Sequence, residues 1–512
     1  MAVNAQFKDM THHLSPETIR RKPNPLKDTI RLILENPHLI SLANGDPHPS
    51  TYPVRSMEFE VADPTGADPV ATWRALGLSA PTLRVSADPA SNAADAMLIR
   101  SSMRYGHGAG LKELCDAVGG INARYHTAPH HVPTISLASA DGITKLWRML
   151  GAVGDYFLAD EYTFGPMALA ADAHGVKWVP VRIDAGGLIP ADLERLLRDW
   201  DDGLGRRPHV LYLTPCGQNP TGSTLSLERR KRIYEIAQVY DVIIVEDDPY
   251  YFLQYDLPNA DPSAPEKPFP TSFLSLDVDG RVIRLDSFSK VMAPGLRVGW
   301  YTTSPFFHAH LVRLIDNSTQ HPSGLPQVFL AQLLAPADAS AGGAWGLDGF
   351  DRWVRSLRRD YQRRRDLLLR LFDAHVGASG LASADPPEAG MFVWIRVHIE
   401  RHPRFARRAA AVGETEGPER ERAVAHRPRT PLPQTNTAAL MNEFFDACLR
   451  AGIVVCPGWA FVTNAEEDYG EPGAVPIIDR SNFVRTTFSG SEETMEAGVP
   501  ILGRVLKEFF LA

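Results

Sequence analysis

"LERRKRIYEIAQVYDVIIVEDDPYY", residues 227–251, sets a charged helical run directly against a short strand with no polar residue at its centre. A strand apolar on both faces has to be covered on both, which is the situation inside a parallel sheet flanked by helices. It ends in Glu246, Asp247 and Asp248, at the strand end where α/β sheets open their ligand crevice. From about residue 95 to 345 the alternation recurs. "PTISLAS" precedes the amphipathic "GITKLWRMLGAVG", and "DYFLADE", "VKWVPVRI", "HVLYLTP", "RVIRLDSF" and "RVGWYTT" follow. Strands interleaved with helical stretches predict βαβ units: an α/β fold whose large domain is a mostly parallel sheet sandwiched by helices.

After Gly342 the texture changes. "DRWVRSLRRDYQRRRDLLLRLF" predicts a long basic helix, "GMFVWIRVHI" a strand, and "SEETMEAGVPILGRVLKEFFLA" a closing helix started by Ser491 with Glu493 and Thr494. Residues 400–437 are rich in Arg, Pro, Ala and Glu and poor in core residues, which predicts a disordered surface insertion. The expected organisation is an N-terminal arm over 1–55, a large domain over 56–345 and a smaller α+β domain over 346–512, which the N-terminal segment joins.

At 512 residues the chain is long enough for two domains, and its 44% hydrophobic and 22% charged content is ordinary for a globular protein. A net charge of −8 argues against nucleic acid or an anionic membrane as partner. No apolar run reaches membrane-spanning length, and "MAVNAQFKDMTHHL" holds no signal-peptide stretch. Cys115, Cys216, Cys448 and Cys456 lack zinc or CxxC spacing, so no metal site is expected and a reduced cytoplasmic compartment fits.

Four stretches carry chemistry. In "DSFSKVMAPGLRVGW" (286–300), Lys290 follows Ser287 by three residues and Ser289 by one, and precedes Arg297 by seven. A second cation beside a lysine at a strand end disfavours its ammonium form, which is how a lysine becomes a Schiff-base nucleophile. The two serines and the guanidinium suit a phosphate. "VIIVEDDPYYFLQY" aims Asp247 and Tyr250, three residues apart, into one turn. "LTPCGQNPTGSTLS" puts Asn219 at another strand end between Gly217 and Gly222, and "SLASADGITKL" places Ser139 and Ala140 where a helix N-terminus would cradle an anion. Taken singly, each has a plain explanation: a solvated lysine, an acidic cap, a loop asparagine, a capping turn. Taken jointly they ask for one ligand with a phosphate, a ring nitrogen, a phenolate oxygen and an aldehyde, which is pyridoxal 5′-phosphate (PLP).

"NPTG" (219–222), "DDPYY" (247–251) and "SFSKVMAPGLRVGW" (287–300), in this order, resemble the fold-type I PLP-dependent aminotransferases. Within them the chain is similar to the aromatic, kynurenine and 2-aminoadipate subgroup, above all its fungal aromatic-amino-acid type. The likeness runs from "NPLKDTIRLILENPHLISLANGDPHPSTYP" through "NFVRTTFSG". It implies that Lys290 forms the Schiff base and carries the proton, that Asp247 pairs with the ring nitrogen, and that Asn219 and Tyr250 bond the ring hydroxyl oxygen. Ser139, Ala140, Ser287, Ser289 and Arg297 would hold the phosphate, with Tyr105 reaching it from a second subunit of a homodimer that shares its sites. Phe164 would stack on the ring, and Arg485 would fork the substrate carboxylate. Gly45 would lie in the arm that closes over substrate. Lys27 stands where some relatives have an arginine that contacts the substrate side chain. The activity implied is ping-pong transamination of an aromatic or related amino acid with a 2-oxo acid, 2-oxoglutarate first among them. Another PLP reaction (β-elimination, decarboxylation, cyclopropane formation) or a non-catalytic regulator on the same fold is the alternative. The chain lacks the basic helix-turn-helix module that a regulator would add.

Overall fold

The structure, a computed structural model, describes every residue except 1–6, 37, 39, 41, 43, 44, 76–79, 87–92, 257–267, 337–342, 408–432, 468, 471–473 and 512. An antiparallel pair, β1 (Ser56–Glu60) and β2 (Thr82–Ser86), comes first, and a two-residue hairpin, β6 (Ile183–Asp184) and β7 (Gly187–Leu188), lies mid-chain. The main sheet takes β3 (Val132–Ser136), β4 (Tyr156–Asp160), β5 (Lys177–Val181), β8 (Val210–Leu213), β9 (Ile243–Asp247), β10 (Val282–Ser287) and β11 (Gly299–Thr303). Its order is β3-β11-β10-β9-β8-β4-β5. The β4–β5 and β4–β8 pairs are parallel, and β11 runs antiparallel to both its neighbours. Every strand expected between residues 132 and 303 is present, and β4, β8, β9, β10 and β11 are buried along their whole length.

A four-stranded antiparallel sheet, in the order β12-β13-β15-β14, uses β12 (Ala382–Ala384), β13 (Phe392–Val397), β14 (Cys456–Pro457) and β15 (Phe483–Thr487). The long basic helix spans Gly346–His375, and the closing helix spans Glu492–Leu511, with Ser491 Oγ accepting from Thr494 N at 3.2 Å as expected of its cap. Of the expected insertion at 400–437, residues 408–432 lie outside the described residues. Its flanks are built into the fold. His402 is buried and its Nε2 donates to Phe509 O (2.9 Å), Arg407 bridges Thr435, and buried Thr437 opens the helix Thr437–Arg450.

Packing divides the chain into two compact units, residues 1–152, 245–252 and 271–360 in one, 153–244, 253–270 and 361–512 in the other. This is a different cut from the one expected at residues 55 and 345. Among the described residues no helix is long and apolar enough to cross a membrane.

In the second unit two glycines press backbone on backbone. Gly217 (φ +55°) and Gly390 (φ +82°) each occupy the left-handed region, and a Cβ on Gly390 would sit 2.7 Å from Gly217 O. A side chain at either position therefore meets strain of about 1–2 kcal/mol and a clash with main chain that cannot swing away. This contact seats the 217–223 loop on the strand that Phe392 begins, where a Cβ on Gly222 would come within 3.0 Å of Phe392 O. Gly390→Ala is expected to lower the melting temperature and to cut kcat/KM at least tenfold, because a small displacement of positioned groups is costly. Calorimetry with steady-state kinetics on the purified variant checks both.

Candidate active site

In the first unit, Lys290 follows β10 between two buried anchors. Phe288 is fully buried, its ring 4.9 Å from that of Trp300, and its N–H donates to Val298 O (3.1 Å). Val291 is 1% exposed, and its carbonyl accepts from Trp353 Nε1 at 2.7 Å. The half-buried lysine between them is thus fixed at its Cα by the packing of its neighbours.

An anion cradle lies beside it. The helix Ala138–Leu150 starts with Ala138 at φ +62°, and no side chain caps its first turn, so Ser139 and Ala140 stand among uncapped backbone N–H groups at the positive end of the helix dipole. Ser139 Oγ is buried with no hydrogen-bond partner among the described residues, a costly state unless something fills it. Ser287 Oγ donates to Ser289 Oγ (2.9 Å) and accepts from Ser289 N (3.1 Å). Arg297 is exposed at φ +52°, and its Nη2 lies 3.4 Å from Leu137 O, the residue that precedes the helix. Strand pairing explains the meeting, since Gly299 lies opposite both Ser287 and Ser136. A Cβ on Gly299 would lie 2.6 Å from Asp286 O and 3.1 Å from Ala138 Cα, so the backbones approach as only glycine permits. An uncapped helix start, an unfilled buried hydroxyl, two linked serines and a guanidinium fit a phosphate.

The three carboxylates at the end of β9 divide their work. Arg284, fully buried, bonds Glu246 (3.0 Å), Asp248 (3.1 Å) and Asp286 (2.7 Å). Glu246 also accepts from Phe273 and Leu274 N–H. Asp247, between the two residues that Arg284 holds, is buried at 4% exposed, and Tyr250 follows at 5%. A buried carboxylate at a strand end suits a ring N–H. Phosphate cradle, amine and carboxylate on this unit all fit PLP.

Tyr105 is 56% exposed, and its N–H donates to Asp46 Oδ1 (2.9 Å), which ties its loop to the segment holding exposed Gly45. Lys27 is placed differently from the expectation. It is buried, and its Nζ donates to the carbonyls of Gly106 (2.8 Å) and Gln320 (3.2 Å), with burial holding its pKa below the usual lysine range. It clamps the loop after Tyr105 rather than presenting a free ammonium.

In the second unit, Asn219 is 7% exposed and its Oδ1 accepts from Arg485 Nη1 at 2.6 Å. The Arg485 guanidinium lies over two rings, 4.1 Å from the centroid of Phe392 and 4.8 Å from that of Phe461, with Nη2 3.5 Å from Cys456 Sγ. Stacking and one short bond hold the fork in one plane. Phe164 caps the helix Gly165–Ala173 and is 37% exposed. Beside the loop lies a cavity of about 790 Å³ lined by Tyr162, Thr221, Trp394, Arg396, Arg480 and Phe483 among others, and neither Asn219 nor Arg485 lines it.

The sequence motifs do not mark Gln218 or Asp160. Gln218 is 3% exposed and its Nε2 donates to Asp160 Oδ2 at 3.1 Å. Burial pushes the Asp160 carboxyl up to about 7, against the Gln218 bond that lowers it and with the Glu161 charge adding to the rise. Glu161 itself is paired with Arg480 at 2.7 Å. A carboxyl whose pKa is raised on folding keeps its proton in the native state and loses it in the unfolded one, so its contribution to stability falls as pH rises from the unfolded value through about 7. Asp160→Asn removes that loss. The variant's melting temperature relative to the wild type is expected to climb between pH 5 and pH 8, as differential scanning across that range will read.

A model of the family "aminotransferase class I and II" matches residues 76–502. The L-tyrosine:2-oxoglutarate aminotransferase of Tapinella panuoides is 47% identical, over 98% of this chain and 96% of its own. That of Serpula lacrymans is 42% identical over the same shares. Among solved structures, the aminotransferase Aro8 of Candida albicans superposes with a TM-score of 0.81 at 30% identity, covering 99% of this chain and all of its own. The chain belongs to the class I and II aminotransferases, a family of PLP-dependent transaminases.

Proposed function

We propose that the protein transfers the amino group of an aromatic amino acid, L-tyrosine first, to 2-oxoglutarate by a ping-pong mechanism. The observation that carries this reading is the uncapped, partly unfilled anion cradle set directly beside Lys290, in a chain 47% identical to a tyrosine:2-oxoglutarate aminotransferase along nearly all its length. When bound, PLP supplies an aldehyde that takes up the amino group and a ring that draws electrons from the substrate Cα.

The residues divide the rest. Ser139, the Ala140 N–H, Ser287, Ser289 and Arg297 would hold the phosphate. Asp247 would keep the ring nitrogen protonated, Asn219 and Tyr250 would bond the ring hydroxyl oxygen, and Phe164 would cover the ring. Arg485, already planar, receives the α-carboxylate of donor and acceptor alike. Lys290 Nζ removes the proton from the substrate Cα, a transfer between held groups that needs no reorganisation. The functional division is an arm over 1–55, a cofactor-binding domain over 56–345 and a smaller domain over 346–512, and the compartment is the cytoplasm. A homodimer with shared sites is supported by exposed Leu26, Leu32, Ile40 and Leu42 (53–99% exposed), and by an exposed Tyr105 free to reach a second copy.

Absorption of the holoenzyme during titration with L-tyrosine, without an oxo acid, is expected to show the cofactor converting to its amine form. Lys290→Ala should slow this by about four orders of magnitude. Arg485→Lys should raise KM for tyrosine about 10- to 100-fold, since one bidentate charged contact is lost. Cofactor-loaded protein that releases ammonia or carbon dioxide from amino acids, and never converts its cofactor, would move the reading to another PLP reaction.

A further inference from the structure

Gln218 uses every hydrogen-bonding position of its buried amide. Nε2 donates to Asp160 Oδ2 (3.1 Å) and to Tyr162 O (2.5 Å). Oε1 accepts from Thr221 N (2.9 Å) and Thr221 Oγ1 (2.8 Å). Its backbone does the same on a tighter scale, the N–H donating to Ser223 O (2.9 Å) and the carbonyl accepting from Gly222 N (2.6 Å). Thr221 Oγ1 also lies 2.9 Å from Ser223 Oγ. An amide has two donors and two lone pairs to give, and here none is left for solvent or ligand. Two of its bonds reach the end of β4, and two reach the far side of the loop whose centre is Asn219.

We propose that Gln218 is a positioning residue: by tying the Asn219 loop to Asp160 and Tyr162 it fixes the orientation of the Arg485 guanidinium within its plane, and so sets carboxylate affinity without touching substrate or cofactor. Stacking on Phe392 and Phe461 restrains tilt but leaves the guanidinium free to turn within its plane. The 2.6 Å bond to Asn219 Oδ1 is what stops that rotation. Asn219 can hold a direction only if its own backbone is held, and the adjacent Gln218 is the side chain that holds it. Donor polarity matters as much as shape. Above about pH 7, where Asp160 is ionised, both groups facing Nε2 are acceptors, so a glutamate of the same size would set oxygen against the Asp160 carboxylate and the Tyr162 carbonyl. The inference rests on Arg485 being the carboxylate fork.

Glutarate, a dicarboxylate that carries no amino or oxo group to react, is the probe. Its dissociation constant is read on the holoenzyme from the perturbation of cofactor absorption, alongside KM and kcat for tyrosine. Gln218→Met is expected to weaken glutarate about 10- to 100-fold and to raise KM by a similar factor, with kcat changed less than about threefold. Should that variant not fold, Thr221→Val removes one of the four bonds and is expected to weaken glutarate severalfold. Gln218→Glu is expected to be as severe as Gln218→Met, and adding Asp160→Asn, which restores a donor opposite the new carboxylate, to recover part of the loss in a non-additive cycle. Unchanged glutarate affinity in Gln218→Met or Thr221→Val, or strict additivity in the cycle, overturns the proposal. Arg485→Met separates the two readings. Glutarate binding that survives it removes the carboxylate fork and the positioning role together. Binding that needs Arg485 but ignores Gln218 removes the positioning role alone.

Discussion

Arg284 is the charge on which the cofactor-binding unit depends. It is fully buried, it stands in β10, and it bonds Glu246 and Asp248 at the end of β9 as well as Asp286 in its own strand. One cation faces three carboxylates without solvent, so burial outweighs attraction at Asp286 and its carboxyl is pushed up to about 6 even with a guanidinium against it. Such a cluster is a poor source of net stability, yet removing its central charge would leave carboxylates buried and unpaired, at a cost of about 3–5 kcal/mol. What it confers is register. Asp247 lies between two residues that Arg284 holds, and Ser287, Ser289 and Lys290 follow directly on the third. The carboxylate proposed for the ring nitrogen, the serines proposed for the phosphate and the proposed reacting amine are therefore spaced by one buried ion cluster.

The same logic of fixing a functional group through its neighbours recurs at Lys290 and at Asn219. Lys290 is set by Phe288 and Val291, which are buried against Trp300 and bonded to Trp353. Asn219 is set by Gln218 and by the meeting of Gly217 with Gly390. In each case the backbone of the chemistry-bearing residue is held by its neighbours rather than by its own side chain. Preorganisation of this kind gives a site its rate, because nothing has to move when charge develops.

Much of this was legible in the sequence, for a physical reason. Strands buried on both faces have to be apolar throughout, so "VIIV", "YFLA" and "VLYL" announce β9, β4 and β8 without any knowledge of their neighbours. Helices with one covered face show the 3.6 period, as Gly346–His375 does. Candidate site residues at strand ends were visible because turn chemistry and titratable groups coincide there. What stayed hidden depends on contacts distant in sequence. Lys27 is engaged by carbonyls 79 and 293 residues away, and no local pattern predicts that its ammonium turns inward. Asp160 reads as an ordinary polar strand terminus until Gln218, 58 residues later, is found against it. Composition likewise made 400–437 look uniformly loose, whereas His402 and Thr437 at its flanks are buried by Phe509 and by helix packing that lie outside the window.

The two arginines proposed to bind anions differ in exposure in a way that fits their proposed tasks. Arg297 is exposed and, among the described residues, bonds the carbonyls of Pro294 (2.9 Å) and Leu137 (3.4 Å), so its guanidinium stays hydrated and adaptable beside the phosphate it is proposed to hold. Arg485, in its proposed role, would receive ligands that come and go twice per turnover, and it is stacked, half-buried and bonded to Asn219. A flexible guanidinium there would lose conformational freedom at every binding event, and side-chain ordering costs about 0.5–1.5 kcal/mol each time. Fixing the fork in advance moves that cost from binding into folding, where it is met once. The buried amide of Gln218 and the glycines that admit its loop are part of the same arrangement, because a fork can be oriented in advance only if what it leans on is rigid.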